Sequence, residues 1–302
     1  MSEGSRRQLI YVAEVTQGTT PATPVCKPLR NTGGGGIKVA RQSLQSAEYR
    51  QDRAIAGVRL GNKTPTLDVP FEFSYTSFDE FLEAALFGSW TTNVLKQGVT
   101  KKFFTVEEGF TDIAQYQTLT GAMVNDFSLD IKPNAMITGS FSLLGLVASA
   151  FAGSSIDANP EAAETASPFD SYTGSLKEGG ASIAIVTGLS LKLANGLEHF
   201  FALFNKDPAK IGVGRANLTG TLSCYFESAA MANKFLAETE SSLEFTLTDL
   251  AGNSYTFLVP RIKYTGADRT LAENNISIDL PFQALYDPTE ATALKITRTP
   301  HA

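Results

Sequence analysis

Residues 66–88 read TLDVPFEFSYTSFDEFLEAALFG, and two patterns in this stretch decide the fold class. Over Thr66–Tyr75, apolar side chains alternate with polar ones. This period of two predicts a strand with one buried face. Proline has no amide hydrogen to donate to a neighbouring strand, so Pro70 predicts an edge strand or a bulge at that point.

The second part of the stretch changes to the spacing of a helix. Its large apolar residues fall on one helical stripe, which predicts a helix over Ser77–Phe87. Ser77 and Glu80 have the spacing of a capping box, and Gly88 occupies the position of a C-terminal capping glycine. The first unit of the predicted fold is therefore a strand followed at once by a short amphipathic helix.

Further alternating segments follow this helix. Phe127–Ile131 and Ile137–Leu143 alternate on either side of a Pro-Asn pair, which is typical of a hairpin. The second half repeats the order, with a strand over Leu218–Phe226, a helix over Ser228–Ala237 and a last strong strand over Ile276–Phe282. The pattern predicts a mainly β chain with a few helices.

Two pairs of apolar residues indicate an internal duplication. Tyr255 follows Tyr116 by 139 positions, and Ile276 follows Ile137 by the same number. A fixed offset favours a repeated unit, with coincidence between two β regions as the alternative. We therefore predict two tandem β-sandwich or barrel domains, each with a flanking helix.

The composition of the connecting segments suggests where these domains begin and end. Prolines and the four glycines Gly33–Gly36 mark a flexible first segment, and 148–180 is rich in Ala, Ser, Gly, Pro and Glu. The predicted division is an N-terminal arm at 1–37, a first β domain at 38–147 with a long loop at 38–65, a linker or exposed loop at 148–180, a second β domain at 181–287 and a C-terminal tail at 288–302.

Bulk composition narrows the class of protein. The chain has 302 residues, of which 43% are apolar and 19% charged, and this suits packed cores. Its net charge of -6 argues against tight, non-specific binding to DNA or to anionic lipid, because both need a basic face. No stretch has the length of a membrane-spanning helix and no signal peptide is evident, so we expect a protein made in a cytoplasm, without a membrane partner.

The residues that carry chemistry are sparse and separated. Two cysteines, Cys26 and Cys224, give no disulfide framework, and two histidines, His199 and His301, make neither a triad nor a zinc site. Gly33–Gly36 lacks the lysine and hydroxyl residue of a phosphate-binding loop. We predict no catalytic, cofactor-binding or metal-binding residue, no cofactor and no enzymatic activity.

A basic segment lies between the arm and the first strong strand. Lys38–Lys63 has little apolar periodicity and predicts a long loop or a hairpin. A loop of that length in a compact domain is usually functional. Its arginines suit salt bridges to an acidic neighbouring subunit, with a phosphate clamp as the alternative. They are Arg41, Arg50, Arg53 and Arg59.

The order of these features resembles the tail tube, or major tail, proteins of long non-contractile-tailed bacteriophages. The stretches that carry the resemblance are AEVTQGTTPATP, SAEYRQDRAIAGVRLGNKTPTLDVPFEFSYTSFDEFLEAALFGSW, VNDFSLDIKPNAMITGSFSLLG and GRANLTGTLSCYFES. The resemblance implies a β-sandwich or barrel whose sheets join those of neighbouring subunits into a barrel that lines a lumen. It also implies a virion tail protein, assembled in the host bacterial cytoplasm, whose tube conducts double-stranded DNA from capsid to host without binding it specifically.

In such a tube the polar residues of the sheet strands would face the lumen, and the long loop and the arm would bridge stacked rings. The inter-ring residues would be the four arginines. The lumen-facing candidates are Asp68, Glu72, Asp130, Lys132, Thr138, Ser140, Thr219, Thr221, Ser277 and Asp279.

The duplication adds an expectation about ring stoichiometry. Family tubes with one domain per chain form six-fold rings, so a chain with two domains is expected to close the ring as a trimer with pseudo-six-fold symmetry. A homohexamer is the alternative.

The resemblance implies tail terminator, tape measure and distal tail proteins as further partners. The rival functions are a tube protein of a contractile tail or secretion system, and a β-sandwich binding or decoration module of a capsid or tail.

Overall fold

A computed structural model describes residues 3–183 and 185–301 and shows a mainly antiparallel β protein with two short α-helices. The strands are β1 (Arg7–Glu14), β2 (Lys27–Pro28), β3 (Gly36–Gln45), β4 (Val58–Glu72), β5 (Val94–Lys96), β6 (Phe103–Phe110), β7 (Gln115–Ile131), β8 (Thr138–Leu144), β9 (Val147–Ala148), β10 (Gly174–Glu178), β11 (Ala181–Ser182), β12 (Val186–Ala194), β13 (Glu198–Phe200), β14 (Lys210–Gly212), β15 (Asn217–Tyr225), β16 (Ser241–Thr248), β17 (Ser254–Tyr264), β18 (Asp268–Leu271), β19 (Ile276–Ala284) and β20 (Lys295–Thr299). The helices are α1 (Asp79–Leu86) and α2 (Ala230–Leu236), with one 3-10 turn at Gly4–Arg6.

Eight of these strands form one antiparallel layer, which we name the main sheet. Its order is β3-β4-β8-β7-β12-β15-β19-β18. The central pairing joins β7 to β12, from Asp126 opposite Ala194 to Ile131 opposite Leu189. Strands of the first and second halves of the chain therefore belong to one continuous sheet.

A second layer has one sheet from each half of the chain. The first contains β2, β1, β6, the start of β7 and β9. The second contains β11, β10, β16, β17 and β20, and it ends on β5, which the first half contributes. The strand β7 is long enough to pair with β6 at its start and with β8 at its end, so it connects the two layers.

Apolar residues fill the space between the layers. The ring of Phe81 on α1 lies 4.8 Å from that of Phe104 on β6 and 5.4 Å from that of Phe141 on β8, measured between centroids. Five of the eight residues of α1 are buried, so this helix covers the apolar face of the main sheet. By contrast, α2 has no buried residue, although Met231 and Phe235 pack partly against the core.

The same order of pairings occurs twice along the chain. The long strand β7 pairs with β6 and then with β8, and β17 pairs with β16 and then with β19. The strands β8 and β19 follow, and the hairpins β3–β4 and β12–β15 precede α1 and α2 in their halves. Strand β1 pairs with β6 as β10 pairs with β16. This repetition agrees with the offset seen in the sequence, while the domain boundaries themselves stay a prediction.

Two strands lie where the sequence predicted an arm and a linker, and those expectations are wrong for these segments. In β1, Leu9, Ile10 and Tyr11 are all buried, and the strand pairs along its whole length with β6. In β10, Glu178 is buried and the strand pairs with β16. The buried residues of β1 include three in succession, and β10 has a single buried residue, so neither segment shows a period of two.

The helix ends also differ from their prediction. The capping residue of α1 is Phe78, with no side-chain cap, because the hydroxyl of Ser77 instead contacts Ser74 and the guanidinium of Arg30. At the other end Phe87, with φ of 51°, is the left-handed residue. The amide of Gly88 donates to the carbonyl oxygen of Glu83 at 3.0 Å.

The basic segment is a hairpin: β3 and β4 pair from Gly36 opposite Asp68 to Gln45 opposite Val58. Residues 46–57 form its tip. Pro70 lies beyond the last residue of β4 that pairs with β3, so β4 has a single neighbour there, as expected of an edge.

A polar cluster fastens the second half to α1. Asp79 at the start of the helix accepts hydrogen bonds from the Tyr255 hydroxyl and the Arg298 guanidinium. Arg298 also lies over the Trp90 ring, 4.7 Å from its centroid. Burial, as the largest cause, raises the pKa of Asp79. Trp90 thus contacts the last strand through Arg298.

Candidate functional site

The main sheet has one apolar face and one polar face. Residues directly opposite each other in an antiparallel pair point to the same side, so the registers of adjacent strands trace rows across the sheet. One such row crosses six strands without interruption. It reads Glu72, Thr138, Asp130, Ser190, Thr221 and Pro281.

The neighbouring rows have the same character. One contains Pro70, Ser140, Ser128, Lys192, Thr219 and Gln283, and another contains Asp68, Ser142, Asp126, Ala194 and Asn217. Towards the end of the sheet, Ser223 lies opposite Asp279, and Tyr225 lies opposite Ser277. We name this surface the polar face.

All ten lumen-facing candidates of the sequence analysis lie on the polar face or, for Lys132, one residue beyond the end of β7. The structure therefore brings these residues together, although they come from distant parts of the chain. Each is exposed or half-buried, whereas the residues between them, such as Phe71, Leu129 and Leu222, are buried. Whether the surface lines a lumen stays a prediction.

Several residues of this face were not predicted from the sequence. Asp126, Ser128, Ser190 and Lys192 occupy its centre. The alternation of Leu189, Leu191 and Leu193 was the signal that could have identified Ser190 and Lys192. Their selection required knowing that β12 pairs with β7, and a sequence does not show which distant strands are neighbours.

Carboxylates outnumber ammonium groups on the polar face. Three are paired with lysines: Asp68 with Lys38 at 3.1 Å, Asp130 with Lys132 at 2.5 Å and Asp126 with Lys192 at 3.7 Å. Within the described residues, Glu72, Asp268 and Asp279 form no ion pair with lysine or arginine. The Ser223 hydroxyl donates to Asp279 at 2.5 Å. The surface therefore presents net negative charge.

Most residues of the long hairpin β3–β4 between 38 and 60 are exposed. One attachment to the second half is Lys63, whose ammonium lies 3.0 Å from the Asp207 carboxylate and whose amide donates to the carbonyl oxygen of Lys206 at 2.8 Å. Beyond that contact the hairpin exposes large apolar side chains. They are Leu44, Tyr49, Ile55, Val58 and Leu60.

The four arginines predicted for inter-ring contacts all lie on this hairpin, but two of them are engaged within it. Arg41 donates to the carbonyl oxygens of Leu60 and Gly61. Arg50 forms a pair with Asp52 at 2.7 Å, and its hydrogen bonds lower the pKa of that carboxyl. Arg53, with φ of 62°, turns the tip, and Arg59 lies opposite Leu44 on the strand pair.

The second half carries a related extension between β12 and β15. The short hairpin β13–β14 folds back there, and the ring nitrogen Nε2 of His199 lies 2.8 Å from the Gly145 carbonyl oxygen. Burial lowers the pKa of His199. The loop between β13 and β14 exposes Leu203 and Phe204. The histidine closest to the core thus holds this extension against the first half.

Among residues 3–183 and 185–301, no group of three or more His, Cys, Asp and Glu side chains is arranged to hold a metal ion. Both cysteines are buried and free. In the same part of the chain, no helix is long and apolar enough to cross a membrane.

Comparison with known families gives the chain its assignment. The sequence model of a family described as phage tail tube protein matches residues 4–284, which include both halves and all eight strands of the main sheet. No curated protein matches the chain. The mainly antiparallel β architecture and the two short helices agree with that family. The chain therefore belongs to the phage tail tube protein family, and it is a structural protein of the virion tail that assembles with copies of itself and other tail components.

Proposed function

We propose that three copies of this chain close a ring and that stacked rings form the tube through which DNA passes from the capsid to the host cell. The observation that carries the proposal is the pairing of β7 with β12, which already joins two similar sets of strands inside one chain. If each set corresponds to one subunit of a six-fold ring, three chains supply six sets. The proposed trimer thus rests on the two similar sets of strands in one chain.

The dimensions of a closed sheet agree with this number of copies. Three copies of the eight-stranded main sheet supply roughly 24 strands, and at about 4.8 Å per strand they enclose a barrel about 37 Å across before strand tilt widens it. Six copies would double that diameter. The smaller barrel encloses a DNA duplex more closely.

We further propose that the polar face lines the lumen. Its carboxylates would repel DNA phosphates, and a surface without net attraction lets a long polyanion pass, because attraction at each phosphate adds up along the chain. The opposite face of the main sheet is covered by the core, so only the polar face is available for this role.

The long hairpin β3–β4 is the proposed bridge between rings. It extends from the edge of the main sheet and exposes apolar side chains at and near its tip. Exposed apolar clusters of this kind mark protein interfaces. Arg53 and Arg59, which form no ion pair within the described residues, remain candidates for acidic partners in the next ring.

Membership of the phage tail tube family also suggests the other partners of the chain and the place where it assembles. Tail terminator, tape measure and distal tail proteins would meet the ends and the interior of the tube, and assembly would take place in the host bacterial cytoplasm. A tube protein of a contractile tail or secretion system is the nearest rival, and a sheath partner would distinguish it. A β-sandwich binding or decoration module is the more distant one.

Size-exclusion chromatography followed by negative-stain electron microscopy of the purified chain tests the proposal against the binding module. We expect rings or hollow tubes above a threshold concentration. A chain that stays monomeric at every concentration, and also in the presence of other tail components, would contradict a tube-forming role.

A further inference from the structure

We propose that neighbouring chains join by antiparallel pairing of β18 of one copy with β3 of the next, in the register that β7 and β12 adopt inside one chain. This inference rests on the proposed closed ring. It adds the identity of the two edges, the residues that face each other across them and a salt bridge between copies.

The two edges are the ends of the main sheet. Within the described residues, β18 pairs only with β19, and β3 pairs only with β4. All four residues of β18 are exposed, as are most residues of β3. An unpaired strand offers a row of amide and carbonyl groups to another chain. A ring that continues the sheet needs two such edges on each copy.

The register at the first edge follows from the repeat. On β8 and β19, Ser140 and Asp279 are equivalent because they are 139 positions apart, the offset of the repeat. Ser140 lies opposite Ser128 on β7, and Asp279 lies opposite Asp268 on β18. Asp268 therefore occupies in the second half the place that Ser128 occupies in the first.

The register at the second edge, β3, follows from the same offset of 139 positions. Leu144 and Gln283 are 139 positions apart on β8 and β19, and they lie opposite Thr66 and Thr219. Thr66 in turn lies opposite Lys38 on β3, and Thr219 lies opposite Lys192 on β12. Lys38 is therefore the equivalent of Lys192.

Inside the chain, Lys192 lies directly opposite Ser128 across the β7–β12 junction. Transfer of that register to the junction between copies places Lys38 of one copy opposite Asp268 of the next. Both residues belong to rows of the polar face, so their side chains point to the same side of the sheet.

Charge supports this register. Within one chain Asp268 lies opposite Asp279, and like charges directly opposite each other destabilise a strand pair. No lysine or arginine forms an ion pair with either carboxylate among the described residues. Lys38, which pairs with Asp68 of its own chain at 3.1 Å, would bring an ammonium group from the next copy close to both carboxylates and relieve the repulsion. The isolated chain thus carries a local charge conflict that ring closure resolves.

A cysteine pair tests the register directly. Directly opposite residues in an antiparallel pair have Cβ atoms about 4.5–5.5 Å apart, close enough for a disulfide after a small adjustment. The variant Lys38→Cys with Asp268→Cys is assembled, oxidised mildly and separated on a denaturing, non-reducing gel. The native thiols of Cys26 and Cys224 are buried, and single-cysteine variants control for them.

The expected product is a ladder that ends at a closed species of three chains and disappears on reduction. The matched control is Ala40→Cys with Thr270→Cys. Both positions lie on the same face of the same two strands, but they are four positions out of register, about 13 Å apart, and should not crosslink. Crosslinking of the control in place of the test pair would overturn the register.

The result also separates this inference from the proposed function. Tubes without crosslinks would overturn the edge pairing and leave the tube-forming role intact. A wild-type chain that forms no rings or tubes would contradict both.

A charge exchange covers the case in which the cysteine variant does not assemble. Asp268→Lys alone should raise the concentration needed for assembly roughly two- to fivefold, because it places two ammonium groups across the junction. Lys38→Glu alone, which also gives up the pair with Asp68, is the reference, and the double variant should assemble better than either single variant. A double variant that assembles no better than the single variants would overturn the proposed contact.

Discussion

Gly220 shows how closely the apolar face of the main sheet is packed. A Cβ atom at this position would lie 2.4 Å from Cζ of Phe282 and 2.4 Å from the carbonyl oxygen of Ser190. Gly139 is similar, since a Cβ atom there would lie 2.6 Å from Cζ of Phe71. At both positions an aromatic ring covers a glycine on the neighbouring strand. Glycine is therefore needed for close approach.

We predict that Gly220→Ala lowers the free energy of unfolding by about 1–3 kcal/mol, the cost of overpacking a core. Chemical denaturation of the unassembled chain measures it. The control is Gly153→Ala, because a Cβ atom there meets nothing within 4 Å. Equal stability of the two variants would contradict the proposed packing.

Glu290 provides a prediction of pH dependence. Its carboxylate lies 2.8 Å from the ammonium of Lys295 and 3.3 Å from that of Lys96, so it ties β20 to β5. The hydrogen bond from Lys295, and then that from Lys96, lower its pKa. A lowered pKa in the folded state adds stability above the ordinary glutamate pKa, and this stability is lost as the pH falls through the lowered value.

We therefore expect Glu290→Gln to destabilise the chain at neutral pH by up to about 1 kcal/mol, since the pair is partly exposed. The difference from the wild type should shrink as the pH falls below the ordinary glutamate range. Denaturant titrations across that pH range measure it. A difference that stays constant or grows on acidification would contradict the assignment.

Side-chain direction was the most predictable feature at this scale. The alternation around Leu67 and Val69 predicted correctly which residues of β4 are buried. The hydroxyl of Ser77 was mispredicted because Ser74 and Arg30, which are close only in space, compete for it. Local spacing predicts a capping box, whereas distant partners decide whether it forms.

At the scale of elements, the hairpin β3–β4 carries the proposed contact between rings. The sequence predicted a long loop or a hairpin, and the hairpin is observed. The sequence did not reveal β1 or β10, because neither alternates clearly over its length. Elements with a strong period could be predicted, and short strands whose partners are distant could not.

Removal of the hairpin tip tests the bridge. Residues 46–57 lie beyond the last pair, Gln45 opposite Val58, and an Asn-Gly turn in their place would close the hairpin without disturbing it. We expect rings to form but not to stack, as seen by negative-stain electron microscopy. A Gly/Ser segment of the same length separates loss of side chains from loss of length. Tubes of normal length from both variants would contradict a bridging role.

At the scale of the whole molecule, one sheet spans both halves and offers one uninterrupted polar face. Its residues were selected from the sequence strand by strand, and the strand order that unites them came only from the structure. Strand order depends on long-range pairing, which local patterns do not specify. The inventory of the candidate site was therefore largely predictable, and its geometry was not.

The charge of the polar face leads to a prediction for the assembled tube. Thr221→Lys adds an ammonium group at the centre of a row that also contains Asp130 and Ser190. Because the net negative charge of the polar face falls, we expect tubes of normal shape that retain more short duplex DNA at low salt than wild-type tubes do, and the difference should shrink as salt rises. The control, Ser175→Lys, adds the same charge on β10, outside the main sheet. Equal retention by both variants would contradict a lumen lined by the polar face.

The number of chains in one ring tests the proposed assembly most directly. Electron cryo-microscopy of assembled tubes, averaged in the end-on view and combined with a helical reconstruction, determines it. We expect three chains per ring, six similar sets of strands around the lumen, and β18 beside β3 at each junction between chains. A ring of six chains, with the second half of each chain outside the lumen wall, would contradict it.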